Sequence, residues 1–156
     1  MDTAIEREFA GGKFLFALPV AGILAIEKGP LTPALRSREY PVSLFQLYDE
    51  ISAGIGLDAE GSPVRLPGAH VFYGDLHNIL EQALKGGNSG DRDGEQFEVG
   101  AQLATRIVNE HLPTNIEGCT LLVWDILHAT IKGVSLKKKA AQPKPKRTRR
   151  SAADKS

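Results

Sequence analysis

Residues 5–29, IEREFAGGKFLFALPVAGILAIEKG, decide how the N-terminal part of the chain folds. Side chains alternate with a two-residue period over residues 5–9 and again over residues 14–18, which is the pattern of a half-buried β-strand. Gly11-Gly12 lies between the two stretches and offers the turn that a short hairpin requires. The sequence therefore predicts an N-terminal β-hairpin.

A helix is predicted directly after this hairpin. Pro19 suits the first helical turn, where its missing N–H would have no helical partner. Ile23, Leu24 and Ile26 supply apolar positions, and Gly29 closes the helix. A hairpin that feeds a helix is a scaffold without a catalytic side chain. Function is therefore sought first in shape and partners.

Further helices are predicted from caps and apolar spacing. Thr32 and Pro33 open a short turn over residues 32–38, and Ser43 caps a helix that ends at Gly54 and Gly56. The apolar positions of that helix are Leu44, Leu47, Tyr48 and Ile51.

Three helices follow in the second half of the chain. Asp75 caps the first, which stops at Gly86-Gly87; the second runs near residues 96–112 and ends at Pro113; the third begins at Thr114 and stops at Gly133. Their apolar faces are Leu76, Ile79, Leu80, Ala83 and Leu84; Phe97, Ala101, Ala104, Val108 and Leu112; and Ile116, Cys119, Val123, Ile126, Leu127, Thr130 and Ile131.

Two segments are predicted as loops. Residues 57–73 contain two prolines and two glycines, with a brief extended piece around residues 64–66, and residues 86–95, GGNSGDRDGE, are expected to be a flexible polar loop. The predicted fold is a mostly helical α+β domain over residues 1–136, in which five or six helices pack around the hairpin. Residues 137–156 are predicted to be a disordered basic tail.

The composition favours a cytoplasmic protein with one compact domain. Apolar residues make up 42% of the 156 residues, no apolar run approaches the roughly 20 residues of a membrane span, and no secretory signal opens the chain. A single cysteine, Cys119, excludes an intramolecular disulfide.

The overall net charge of zero hides a strong asymmetry. Residues 1–136 carry 10 Lys and Arg against 18 Asp and Glu, a net charge of −8, whereas residues 137–156 carry nine Lys and Arg against one acid, a net charge of +8. Such a tail is drawn to a polyanion. Nucleic acid, an acidic protein face and the protein's own acidic body are the candidates, and a solvated solubility tail is the alternative. The predicted polyanion-binding residues are Lys137, Lys138, Lys139, Lys144, Lys146, Arg147, Arg149 and Arg150.

The side chains that could carry chemistry do not form a recognisable catalytic motif. A loop could gather His70, Asp75 and His77 into a metal or hydrolase site, although histidines near helix ends are more often structural. Cys119 and His128 are nine residues apart on one helix, about 13–14 Å at ~1.5 Å per residue, and cannot act as nucleophile and base. Trp124 is either core or a partner contact. We expect no enzymatic activity, no cofactor and no metal.

The order of these segments resembles the tail assembly chaperones of siphophage-like particles, in particular those of gene transfer agents and related prophages. The resemblance covers residues 5–134: a hairpin and a helix ending in AIEKG, then LYDEISAGIG, HNILEQALKGG, IVNEHLP and ILHATIKG. Members of that family read as a hairpin, a helix finishing near Leu/Ile-Glu, a helix ending in Gly-Gly, and two helices broken by a proline and closed by a glycine. Here these features fall on Ile26-Glu27, residues 84–87, Pro113 and Gly133.

The resemblance implies a non-enzymatic role in the cytoplasm. Such chaperones bind the tape measure protein, help to recruit tail tube subunits and are absent from the mature particle. The proline-containing segment 57–73 and the basic tail depart from the compact members of the family. A nucleic-acid-associated accessory protein that acts through the basic tail is the alternative.

Overall fold

The computed structural model describes residues 3–29, 41–67 and 73–133. These residues form an α+β fold that is mostly helical, as predicted, with an N-terminal hairpin and five α-helices. The strands are β1 (Ile5–Phe9), β2 (Gly12–Phe16), β3 (Ile55–Leu57), β4 (Pro63–Arg65), β5 (Gly90–Arg92) and β6 (Glu95–Phe97). The helices are α1 (Val20–Lys28), α2 (Leu44–Ser52), α3 (Tyr73–Gly87), α4 (Ala101–His111) and α5 (Ile116–Lys132), with a 3-10 turn at Leu112–Thr114.

The N-terminal hairpin is confirmed, with its turn shifted by one residue. Phe9 pairs with Gly12, so the turn residues are Ala10 and Gly11 rather than Gly11 and Gly12. Both have positive φ, 54° and 79°, as a two-residue hairpin turn of type I′ requires. Gly12 instead opens β2, where a Cβ atom would stand 2.7 Å from the carbonyl oxygen of Asp91.

A second hairpin replaces the flexible loop predicted for residues 86–95. β5 and β6 pair across a turn at Asp93 and Gly94, whose φ values are 55° and 82°. Asp-Gly is a strong hairpin signal, but the flanking strands are only three residues long and mostly polar, so the sequence shows no strand pattern around it. β5 also pairs with β2, which extends the sheet to the order β1-β2-β5-β6.

The segment predicted as a loop over residues 57–73 contains part of a second, two-stranded sheet. β3 pairs with β4, so the extended piece expected around residues 64–66 has a partner strand. Gly56 lies within β3 and does not end α2, which is followed by Ala53 as its C-cap.

The predicted helices α1, α2, α3 and α5 are present, and every apolar position assigned to α3 is buried. Two of their starts need correction. Pro19 is the N-cap of α1 and not a residue of its first turn, and α3 begins at Tyr73, so Asp75 lies within the helix and does not cap it.

α4 and α5 also differ from the predictions at their starts. α4 begins at Ala101 and not near residue 96, because residues 95–97 pair in β6. Asn115, rather than Thr114, caps α5, and its side-chain oxygen accepts a hydrogen bond of 3.0 Å from the Gly118 N–H. Ile116, placed on the core face, is 48% exposed.

Some predictions fall outside the described residues. These are the short turn at residues 32–38, the residue His70, and the basic tail with all eight of its predicted binding cations. None of the helices in the described ranges combines the length and the apolar character of a membrane span.

α3 lies at the centre of the structure and packs against β2, α1, α4 and α5. Its C-terminal end meets β2 backbone to backbone: the Ala17 N–H donates to the Ala83 carbonyl at 3.1 Å, and the Leu15 N–H donates to the Ser89 carbonyl at 3.0 Å. The sheet and the helices therefore share one connected apolar core.

Gly86 and Gly87, predicted as the stop of this helix, are its last residues and allow that close approach. A Cβ atom on Gly86 would overlap the carbonyl oxygen of Ala17, and one on Gly87 would overlap the carbonyl oxygen of Leu15. Asn88 ends the helix with a φ of 51°, and its side-chain oxygen accepts a hydrogen bond of 3.1 Å from the Val99 N–H.

We predict that Gly87→Ala lowers the free energy of unfolding by about 3 kcal/mol, because the added methyl group forces α3 away from β2. Gly100→Ala is the matched control, since a Cβ atom there has nothing within 4 Å and the backbone is extended. We expect the control to cost less than about 1 kcal/mol. Urea unfolding of the three proteins measures the difference, and equal effects of the two substitutions would contradict the account.

Candidate functional site

The outer face of α1, formed by Val20, Ala21 and Leu24, is exposed and apolar. Residues 20–26, VAGILAI, include no polar side chain, although this helix lies at the surface. Val20 is 73% exposed and Leu24 is 60% exposed. A surface helix ordinarily presents polar residues to solvent, so this apolar outer face is a candidate contact surface.

The inner face of α1 fixes this surface in place. Ile26 is fully buried, and Gly22 is buried where the helix packs near Gln82 of α3. The side-chain amide of Asn78 donates a hydrogen bond of 3.1 Å to the Ala25 carbonyl. The outer face is therefore presented on a helix that is held by packing and by a hydrogen bond.

The start of α2 lies beside the end of α1. The Leu44 N–H donates to the Glu27 carboxylate at 2.8 Å, and the Val42 N–H donates to the Glu27 carbonyl at 3.0 Å. The next residue, Phe45, is 63% exposed. A second large apolar side chain is thus offered to solvent close to the end of α1.

This surface was not predicted from the sequence. Leu24 and Ile26 were both expected to supply apolar positions of the helix, but Ile26 is buried and Leu24 is exposed. The sequence feature that could have predicted this surface is the absence of any polar residue over residues 20–26. A helix that is apolar on all sides exposes one apolar face unless a second element packs on it.

A cleft of about 680 Å³ lies between β1 and the N-terminal part of α5. Phe9, Cys119 and Leu122 contribute its apolar lining. At its rim, the Arg7 guanidinium donates to the Asp125 carboxylate at 3.3 Å. The ring of His111 lies 5.9 Å from the ring of Phe9. We name this feature the β1–α5 cleft.

Cys119 is a core residue and not an activated nucleophile. Cys119 is 2% exposed. Burial raises the pKa of its thiol to about 11, and this disfavours the reactive thiolate. His128 lies elsewhere, in a stack with Trp124 and with its Nδ1 atom 2.7 Å from the Tyr48 hydroxyl. Cys119 and His128, which the sequence already excluded as a nucleophile and base, therefore lie in different environments.

Trp124 belongs to α5 and is half-buried against α2. Its indole N–H donates a hydrogen bond of 2.9 Å to the Ser52 hydroxyl, and its ring stacks on Tyr48. The sequence left open whether Trp124 is a core residue or a partner contact, and these contacts within the chain favour the core interpretation.

The metal hypothesis built on His70, Asp75 and His77 gains no support from the described residues. Asp75 is 4% exposed in the first turn of α3, and His77 is two positions along the same helix, where side chains do not face each other. Within residues 3–29, 41–67 and 73–133, no three His, Cys, Asp or Glu side chains are grouped so as to hold a metal ion.

His77 instead joins α3 to α4 in a small polar cluster. Its Nε2 atom lies 2.7 Å from the Asn109 side-chain oxygen, and its Nδ1 atom lies 3.6 Å from the Glu81 carboxylate. Hydrogen bonding to Glu81 raises the pKa of His77 above 6.5 despite the opposing effect of burial. Burial alone would raise the pKa of Glu81, but hydrogen bonds from His77 and Thr105 and nearby positive charge lower it.

Comparison of the chain with protein-family models, with curated proteins and with solved structures finds no match. The resemblance to tail assembly chaperones therefore stays a prediction.

We predict that the His77–Glu81 pair stabilises the fold most in mildly acidic solution. The contribution of His77 is complete below pH 6.5 and is lost as pH rises through its raised pKa, whereas that of Glu81 is lost as pH falls through a pKa below 4.5. Glu81→Gln should therefore destabilise the protein more at about pH 5.5 than at about pH 8.5. Denaturant unfolding at both values measures this, with Glu110→Gln on the exposed side of α4 as control. A pH-independent effect of Glu81→Gln would count against the pair.

We predict that Cys119 resists thiol reagents in the folded protein. At about pH 8, Ellman's reagent should leave the native chain unreacted, because the thiol is buried and protonated. Unfolding in guanidinium should release one reactive thiol per chain, since the chain holds one cysteine. Rapid modification of the native protein would contradict this prediction, because it would show that the reagent reaches the thiol through the β1–α5 cleft.

Proposed function

We propose that this protein is a tail assembly chaperone that binds the tape measure protein and helps to recruit tail tube subunits during the assembly of phage-like tails. The observation that carries the proposal is the exposed apolar outer face of α1. A chaperone needs such a surface, because its client has apolar faces that must be shielded until the tube encloses them.

The geometry of α1 suits a helical client. Val20 and Leu24 are one turn apart and form a ridge along the helix, and ridges of this kind pack into the grooves of another helix. Tape measure proteins, as the resemblance implies, are long and helical. Few large side chains make up this surface, and a small interface favours the reversible binding that a helper must have.

The ends of the elements also support the proposal. Gly86-Gly87 lies at the end of α3, Pro113 separates α4 from α5, and Gly133 follows α5. The features that carry the family resemblance thus mark structural boundaries in this chain. The proposal adds that the protein acts in the cytoplasm and leaves before the particle matures.

We predict that Leu24→Glu abolishes capture of the tape measure protein. Burial of a leucine side chain contributes about 1.5–3 kcal/mol, so its replacement by a charged residue should weaken binding by at least about tenfold. The control is Leu57→Glu, since Leu57 is 70% exposed on β3 and lies outside the proposed surface. Co-expression of each tagged chain with the tape measure protein of the same particle, followed by affinity purification, measures the recovery.

Equal recovery with both variants would contradict the assignment of the surface. Failure of the unsubstituted chain to capture the tape measure protein would contradict the function itself. Mass spectrometry of purified particles supplies a second test, because the proposal requires the chain to be absent from them.

A further inference from the structure

β1 is an open edge of the four-stranded sheet. The sheet order is β1-β2-β5-β6, so β1 pairs on one side only within the described residues. Because Phe9 and Gly12 close the hairpin, the backbone groups of Glu6 and Glu8 are directed away from β2. The hydrogen bond of the Leu15 N–H is consistent with this register, because Leu15 lies opposite Glu6 but donates to the Ser89 carbonyl on its other side.

The open edge presents two carboxylates on one face of β1, whereas Arg7, which lies between them in sequence, points to the other face and pairs with Asp125. Glu6 and Glu8 are exposed, and neither carboxylate forms an ion pair with another residue of the described ranges. The Glu6 carbonyl already accepts a hydrogen bond of 2.9 Å from the Arg7 guanidinium. A cationic donor therefore suits both the backbone and the side chains of this edge.

A second copy of the chain fits the edge poorly. If two β1 strands paired antiparallel about Arg7, Glu6 of one copy would lie opposite Glu8 of the other. Like charges directly opposite each other destabilise a sheet. The occupant should instead be positively charged.

The chain itself supplies such a segment. α5 contacts β1 through the ion pair between Asp125 and Arg7, and the chain leaves α5 at Gly133. Residues 137–156 follow with a net charge of +8, opposite to the −8 of residues 1–136.

The length of the following segment is sufficient. The seventeen residues 134–150 reach up to about 56 Å when extended, whereas the five residues of β1 span about 17 Å. Pro143 and Pro145 lack backbone donors, so side-chain charge rather than a sheet ladder would hold the segment.

We propose that the basic segment 137–150 docks in cis on the open edge of β1, with Glu6 and Glu8 as its anionic partners. The inference does not depend on the chaperone role. It makes the tail a cover for an exposed strand edge, and a polyanion such as nucleic acid would compete with that edge for the same cations.

Paramagnetic NMR on the full chain tests this proposal. A nitroxide attached to Ala141→Cys reports on the tail, because buried Cys119 does not take up the label. At low salt we expect the Glu6 and Glu8 amide signals to lose about half of their intensity and the signals around Glu60 to keep theirs. In about 1 M salt, where the Debye length is about 3 Å, the Glu6 and Glu8 signals should recover.

Charge variants identify the partners of the tail. Glu6→Gln/Glu8→Gln should abolish the intensity loss, whereas Glu60→Gln/Glu98→Gln, an equal charge change at two exposed positions, should preserve it. Persistence of the loss in the edge variant, or its absence from β1 in the unsubstituted chain, would overturn the proposal.

Two further samples separate other occupants. An isotope-labelled chain mixed with an unlabelled spin-labelled chain should show no loss, and a loss there would overturn docking in cis in favour of a second copy. Addition of a DNA oligonucleotide should release the tail and restore the signals. A tail that binds the oligonucleotide but leaves β1 unaffected beforehand would also overturn the proposal.

Discussion

The contact between the end of α3 and the backbone of β2 is the constraint on which the other elements depend. Gly86 and Gly87 bring the helix so close that the N–H groups of residues 17 and 15 donate hydrogen bonds to the carbonyl oxygens of residues 83 and 89. The chain then leaves α3 beside β2, so β5 and β6 continue the N-terminal sheet. Because α1, α4 and α5 also pack on α3, this one contact joins the helices to the sheet.

Two surfaces follow from this arrangement. α1 is held on α3 by its inner side, which leaves Val20 and Leu24 on the outside, where they have the spacing of a helix-packing ridge. On the other strand of the hairpin, β1 becomes the edge of the sheet, where Arg7 pairs with Asp125 of α5 and the acidic residues Glu6 and Glu8 point to the opposite face. One surface is apolar and suits a client, whereas the other is charged and suits a basic segment.

Much of the fold could be predicted from the sequence because its signals are local. The hairpin period, the buried stripe of α3 and the caps at Ser43 and Gly29 follow from spacing and residue type. The Asp93-Gly94 hairpin was missed because its strands gain their stability from pairing with β2, far away in sequence. The role of Gly87 and the exposure of Leu24 are likewise tertiary properties, since both depend on which element packs against which face. The metal hypothesis rested on sequence proximity, but His77 is engaged by Glu81 and Asn109.

The central claim is that α1 is the client-binding helix. Hydrogen–deuterium exchange of the full chain, with and without the tape measure protein, tests this claim most directly because it reports on every segment at once. The account predicts slower exchange over Val20–Lys28 and the start of α2, and unchanged exchange in the β3–β4 hairpin. Protection confined to other elements, or no protection at all, would contradict it.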